Sequence, residues 1–147
     1  MEHNHADQIA QLLNSRNQLI VQYDAERVLK SAKNYLYELS DTNEVIACVE
    51  LKPVQWYQFE IDHLTVVPVT EGAGFARKLL ARAEERATKN GGRLLQCTIR
   101  ADNSRSQKLF RLNGYTQVSC FYYPISGNNV GVWQKVISLD KTGDIVK

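Results

Sequence analysis

Long apolar runs are missing from this 147-residue chain. None approaches the ~20 consecutive apolar residues that span a bilayer. The opening Met1-Glu2-His3-Asn4-His5 has neither the basic nor the apolar region of a secretory leader. The expectation is therefore a cytoplasmic protein with no membrane association. Cysteine is scarce: with three, they cannot all pair with one another. Cys48 and Cys97 sit in apolar, strand-like runs and read as buried free thiols rather than metal ligands, and Cys120, beside Phe121-Tyr122-Tyr123, as a core or pocket residue. Proline is rare, and repeats, linkers and low-complexity tracts are absent, so residues 1–147 are expected to form one domain. A basic run interleaved with aromatics is also lacking, which argues against nucleic acid as a partner.

What is present is an ordinary globular composition, 44% hydrophobic with a net charge of +2. The charge is unevenly placed. Residues 1–60 carry 5 Lys/Arg against 9 Asp/Glu, a net of −4, and residues 61–147 carry 13 against 7, a net of +6. That split suits a cationic substrate and a phosphorylated ligand, or simply two solvated faces of unequal charge.

Ile9, Leu12 and Leu13 at helical spacing predict a first helix over 6–13, with His3 and His5 in a fraying terminus. Asp24 can cap a second helix through Val28, Leu29 and Ala32. Strands are predicted over 35–39, 44–53 and 59–67, the last ended by Pro68. From Gly74 to Lys89, Ala76, Leu79, Leu80, Ala83 and Ala87 form one apolar stripe. A strand over 93–99 follows. Next comes a helix capped by Asn103 or Ser104, whose apolar side includes Leu109, Phe110 and Leu112, then strands over 117–123 and 130–138. The order ααβββαβαββ predicts a mixed α/β domain around one sheet.

The segment Pro68-Val69-Thr70-Glu71-Gly72-Ala73-Gly74-Phe75-Ala76-Arg77 joins a strand to a helix. Its two glycines permit tight turning and close backbone approach, and the helix start offers unpaired N–H groups with the positive end of the macrodipole. This is an anion site suited to a diphosphate, or a plain strand-helix turn. It is neither a dinucleotide fingerprint, which needs glycine where Arg77 stands, nor a phosphate loop ending in Gly-Lys-Ser/Thr.

Glu71-Gly72-Ala73-Gly74-Phe75-Ala76 and the Leu-rich helix after it resemble the acetyl-CoA motif of the GNAT acetyltransferase superfamily, Arg/Gln-x-x-Gly-x-Gly/Ala. Asn103-Ser104-Arg105-Ser106-Gln107-Lys108-Leu109-Phe110 through Gly114-Tyr115 resembles the second motif of that family. Gly74 and Ala76 match fixed positions; Glu71 stands where the family carries Arg or Gln, and Phe110 where it carries Tyr.

The resemblance implies a mostly antiparallel sheet with helices on both faces and a splayed strand pair that holds CoA. Acetyl-CoA would be the co-substrate and an amine of a small molecule or peptide the acceptor. Leu64, Thr65 and Val66 would pair with pantetheine through their backbone. Gly72, Ala73, Gly74, Phe75, Ala76 and Arg77 would hold the diphosphate, and Asn103 and Phe110 would line the wall near the thioester. Members of the family often dimerise through late strands, which puts 130–138 forward as a homodimer interface.

An alkyl amine with a pKa near ~10.4 is protonated at neutral pH and needs a base before it can attack a thioester. Glu60 and Asp62 share one strand face, and relatives place acid/base residues at the matching positions. Glu60 is the expected base and Asp62 its second or electrostatic partner. Strict alternation puts His63 on the opposite face, as a structural histidine. With Phe110 lacking a hydroxyl, Tyr115, Tyr122, Tyr123 or water must protonate the leaving thiolate. Failing that, the domain is an acyl-CoA-binding regulatory module.

Overall fold

The structure is a computed structural model that describes residues 1–17 and 21–137. Its elements are α1 (His3–Arg16), α2 (Ala25–Lys30), β1 (Tyr35–Leu39), β2 (Val45–Gln55), β3 (Gln58–Val66), α3 (Phe75–Lys89), β4 (Leu94–Arg100), α4 (Ser104–Leu112), β5 (Thr116–Tyr123) and β6 (Asn128–Val136). The order is the one the sequence predicts. The strands form a six-stranded mixed sheet, β1-β2-β3-β4-β6-β5, in which β1–β2, β4–β6 and β5–β6 are antiparallel and β3–β4 parallel. The chain divides into two compact units, residues 1–51 with 63–83, and residues 52–62 with 84–147.

In the first unit, α1 buries Ala6, Ile9, Ala10, Leu12 and Leu13 against Ala25, Val28, Tyr35, Val45 and Cys48. The Asp24 carboxylate caps α2 by accepting from Arg27 N–H at 2.8 Å. The amino terminus departs from expectation. His5 is buried, its Nε2 lies 3.1 Å from the Asn43 carbonyl, and its ring packs against Tyr37. A partner 38 residues away fixes what local pattern reads as a frayed end.

In the second unit, α4 is capped by Asn103, whose side chain accepts from Ser106 N–H at 3.1 Å. Phe110 is buried, but Leu112, the last residue of α4, is 74% exposed and belongs to the solvent side. Strand β6 is paired on one side to β4 and on the other to β5, so the backbone edges of 130–136 are already taken within the chain. Of the strand expected over 130–138, Ser138 lies outside the described residues. Strand β5 is outermost and every one of its residues is exposed, Cys120 included.

β3 breaks the alternation that the sequence pattern assumes. His63 has φ 56°, the left-handed region that a non-glycine residue rarely enters. Such a residue acts as a bulge and resets which face the following side chains take. Asp62 reaches Lys52, whereas the adjacent His63 reaches Glu50 and Tyr23. A strict two-residue period does not carry across His63, whose side chain meets Glu50 and Tyr23 within the first unit.

Candidate active site

The strand-to-helix loop belongs to the first unit. Gly72 and Gly74 have φ +85° and +86°, and a Cβ at either would meet nothing within 4 Å, so the loop is both left-handed and open. The first bond of the α3 ladder runs from Lys78 N–H to Gly74 O at 3.0 Å, which leaves the amides of Phe75, Ala76 and Arg77 ahead of the ladder. Ala73 differs: its N–H donates to the Thr70 carbonyl at 3.2 Å. These features fit a diphosphate, since open amides and a helix dipole need no side-chain charge. Glu71, the departure from the motif, is ion-paired with Arg16 of α1.

Leu64, Thr65 and Val66 lie on β3 beyond its registered stretch with β4, which covers Gln58↔Leu94, Phe59↔Leu95 and Glu60↔Gln96. The Thr65 side chain is buried; its hydroxyl donates to His63 O at 3.1 Å and accepts from Asn17 Nδ2 at 3.2 Å. The Thr65 hydroxyl is thus occupied within the chain.

Glu60 and Asp62 belong to the second unit. Glu60 is half-buried, and burial pushes its carboxyl above the ordinary 4.5; the nearby Asp62 charge adds to this and Lys52 opposes it. Lys52 Nζ sits 2.9 Å from Asp62 Oδ2. Asp62 thus has a direct cationic partner, and the Glu60 carboxyl is raised by its burial. Cys97 lies close enough that burial, then Glu60 and Asp62, push its thiol up to about 12. It is a neutral thiol and not a nucleophile.

A second polar cluster lies in the first unit, and local pattern did not reveal it. His63 Nε2 is 3.0 Å from the Tyr23 hydroxyl and 3.8 Å from the Glu50 carboxylate. Glu50 is only 3% exposed, and Tyr35, opposite it on β1, hydrogen-bonds to it with a hydroxyl whose pKa is raised by burial and by that carboxylate. Glutamate in the apolar run Ala47-Cys48-Val49-Glu50-Leu51 was the available signal. A carboxylate in a buried strand needs partners, and here they include Tyr35 of β1 and His63 of β3.

At α4, Asn103 uses its side chain as the helix cap, and Phe110 stacks edge-on with Tyr115 at a centroid distance of 5.0 Å. Tyr115 is 2% exposed, and burial, then Glu84 and Cys97, raise its pKa well beyond the usual phenol range. It cannot readily release a proton. Tyr122 and Tyr123 are solvent-exposed on β5. Among the described residues no group of His, Cys, Asp and Glu is arranged to hold a metal ion, and no helix is long and apolar enough to cross a membrane.

The acetyltransferase (GNAT) family model matches residues 4–115, and the chain belongs to that family. No curated protein matches it. The fold is shared with an acetyltransferase from Salmonella typhimurium, YncA, solved with its cofactor acetyl-CoA. That match has a TM-score of 0.80, 17% identity, and covers 98% of this chain and 95% of that one. It is also shared with the ribosomal-protein-alanine N-acetyltransferase of Brucella melitensis (TM-score 0.77, 18% identity, 92% and 96% covered). A chain of the NatC complex bound to Gag peptide and CoA gives a TM-score of 0.79 at 15% identity, with 93% of each chain covered.

Proposed function

We propose that residues 1–147 act as one N-acetyltransferase domain that moves the acetyl group of acetyl-CoA onto a primary amine by direct attack, with Glu60 as the base. The observation that carries this reading is the Glu60 carboxyl, raised in pKa by burial and by Asp62 on the same strand that bears Leu64–Val66. A base poised above the ordinary carboxylate range is better matched to deprotonating an ammonium than a fully solvated glutamate.

In this mechanism the diphosphate lies on the Gly72–Ala76 backbone, and the pantetheine pairs with the main chain of Leu64–Val66. Acetyl-CoA supplies the activated acyl group. The ammonium of the acceptor is drawn toward the Glu60 and Asp62 carboxylates, and Asp62 keeps its place through Lys52. Glu60 takes the proton, directly or through water, and the free amine attacks the thioester carbonyl. Tyr115 is buried and held well beyond the usual phenol range, so the CoA thiolate takes its proton from water or from an exposed hydroxyl such as Tyr122 or Tyr123. The acceptor is a small-molecule amine or a peptide amino group; the neighbours bound to a peptide or acting on ribosomal protein support the latter. Buried, unpaired Cys48 and Cys97 suit a reducing cytoplasmic setting.

The test is release of CoA-SH from acetyl-CoA across a panel of amines and peptides. Glu60→Gln should lower turnover by about 10²–10⁴-fold with unchanged CoA affinity. CoA binding without turnover on any acceptor would favour instead a regulatory acyl-CoA-binding module, the reading to which Phe110 points.

A further inference from the structure

The loop that would receive the diphosphate carries a carboxylate where the motif has a cation or an amide, and the fold answers that substitution from a distant segment. Arg16 Nη2, in the last turn of α1, is ion-paired and hydrogen-bonded to Glu71 Oε1. Glu71 immediately precedes Gly72, whose backbone opens the anion site. The carrier of Arg16 is well anchored. The next residue, Asn17, bonds Leu13 O at 3.1 Å and the Thr65 hydroxyl at 3.2 Å, which ties the end of α1 to β3. The loop is anchored too, through the Thr70 hydroxyl on Val67 O at 2.8 Å and Val67 N–H on Ile46 O at 2.9 Å. Two fixed backbones thus hold a long, always-charged side chain at the loop entrance. Of the other cations near the start of α3, Lys78 is already 3.5 Å from Glu38.

We propose that Arg16 binds the diphosphate of acyl-CoA directly, and that Glu71 presents it to the loop. This deepens the proposed function and rests on it. The physical basis is the guanidinium fork: five N–H donors allow one edge to stay on Glu71 while the other meets phosphate oxygens. Glu71 alone would repel the ligand; with Arg16 it becomes half of a receptor for an anion.

A double-mutant cycle read by calorimetric CoA binding tests this, using the whole chain at low and high salt. Arg16→Ala should weaken CoA binding by about tenfold or more, as charge-assisted bonds are worth. The same loss should persist in a Glu71→Gln background, because the contact to phosphate is direct. The loss should be retained with dephospho-CoA, which keeps the diphosphate, and should vanish with pantetheine, which lacks it. Higher salt should shrink the loss. If Arg16→Ala costs nothing once Glu71 is glutamine, Arg16 is only a counter-ion and the proposal is overturned; a loss that persists with pantetheine would overturn it as well. Thermal midpoints of all variants separate a folding defect from a binding one. Absence of CoA binding by the parent protein would instead remove the acetyltransferase reading itself.

Discussion

Lys52 Nζ lies 2.9 Å from Asp62 Oδ2, so one acid of the Glu60–Asp62 pair is held by a cation and the other is left to titrate above its ordinary range. A base works ionised, so the rate should fall as pH drops through the raised Glu60 pKa. Asp62→Asn removes a charge that raises this pKa and leaves Lys52 to lower it, so the acid limb of kcat/KM should move to lower pH. Lys52→Met should move it to higher pH. Profiles measured with one fixed acceptor check both shifts; superimposable limbs in all three proteins would exclude Glu60 as the titrating group.

The Tyr35, Glu50, His63 and Tyr23 cluster should matter to stability. Glu50→Ala leaves the Tyr35 hydroxyl without its buried acceptor and should cost about 1–3 kcal/mol. Glu50→Gln keeps an acceptor of similar shape and should cost less. Urea denaturation with an unchanged slope is the measurement.

Thiol chemistry should divide the cysteines. Cys120 is exposed on β5, whereas Cys48 and Cys97 are buried with thiols each pushed up to about 12. One thiol per chain should react quickly with an aromatic disulfide reagent in the native protein, and the other two only after unfolding. Cys120→Ser should abolish the fast phase, which makes it the right background for any assay that reads CoA-SH by the same reagent.

Asn103 serves first as a helix cap. Asn103→Ala should destabilise the protein by about 1 kcal/mol, and Asn103→Asp, an equally good cap, should restore stability. Loss of CoA affinity in the aspartate variant, with stability intact, would give Asn103 a second role at the ligand.

Much of this was legible in the sequence because the decisive signals are local. The order of elements follows from periodicity and punctuation, and β1 runs over 35–39 as predicted, bounded by turns on both sides. The apolar stripe of α3 is also local, and Leu79, Leu80, Ala83 and Ala87 are all fully buried. What pattern could not show depends on partners remote in sequence. His5 is buried because Asn43 and Tyr37 fold over it. Arg16 meets Glu71 across 55 positions. The backbone of His63 leaves the extended region, and no local residue pattern marks that position.

That left-handed position has a practical consequence for anyone aligning relatives to this chain. A two-residue period counted forward along β3 does not carry past His63, so positions 64–66 should be matched from the residue after it. Deleting the single residue at 63 would remove the left-handed position together with the side chain that meets Tyr23 and Glu50.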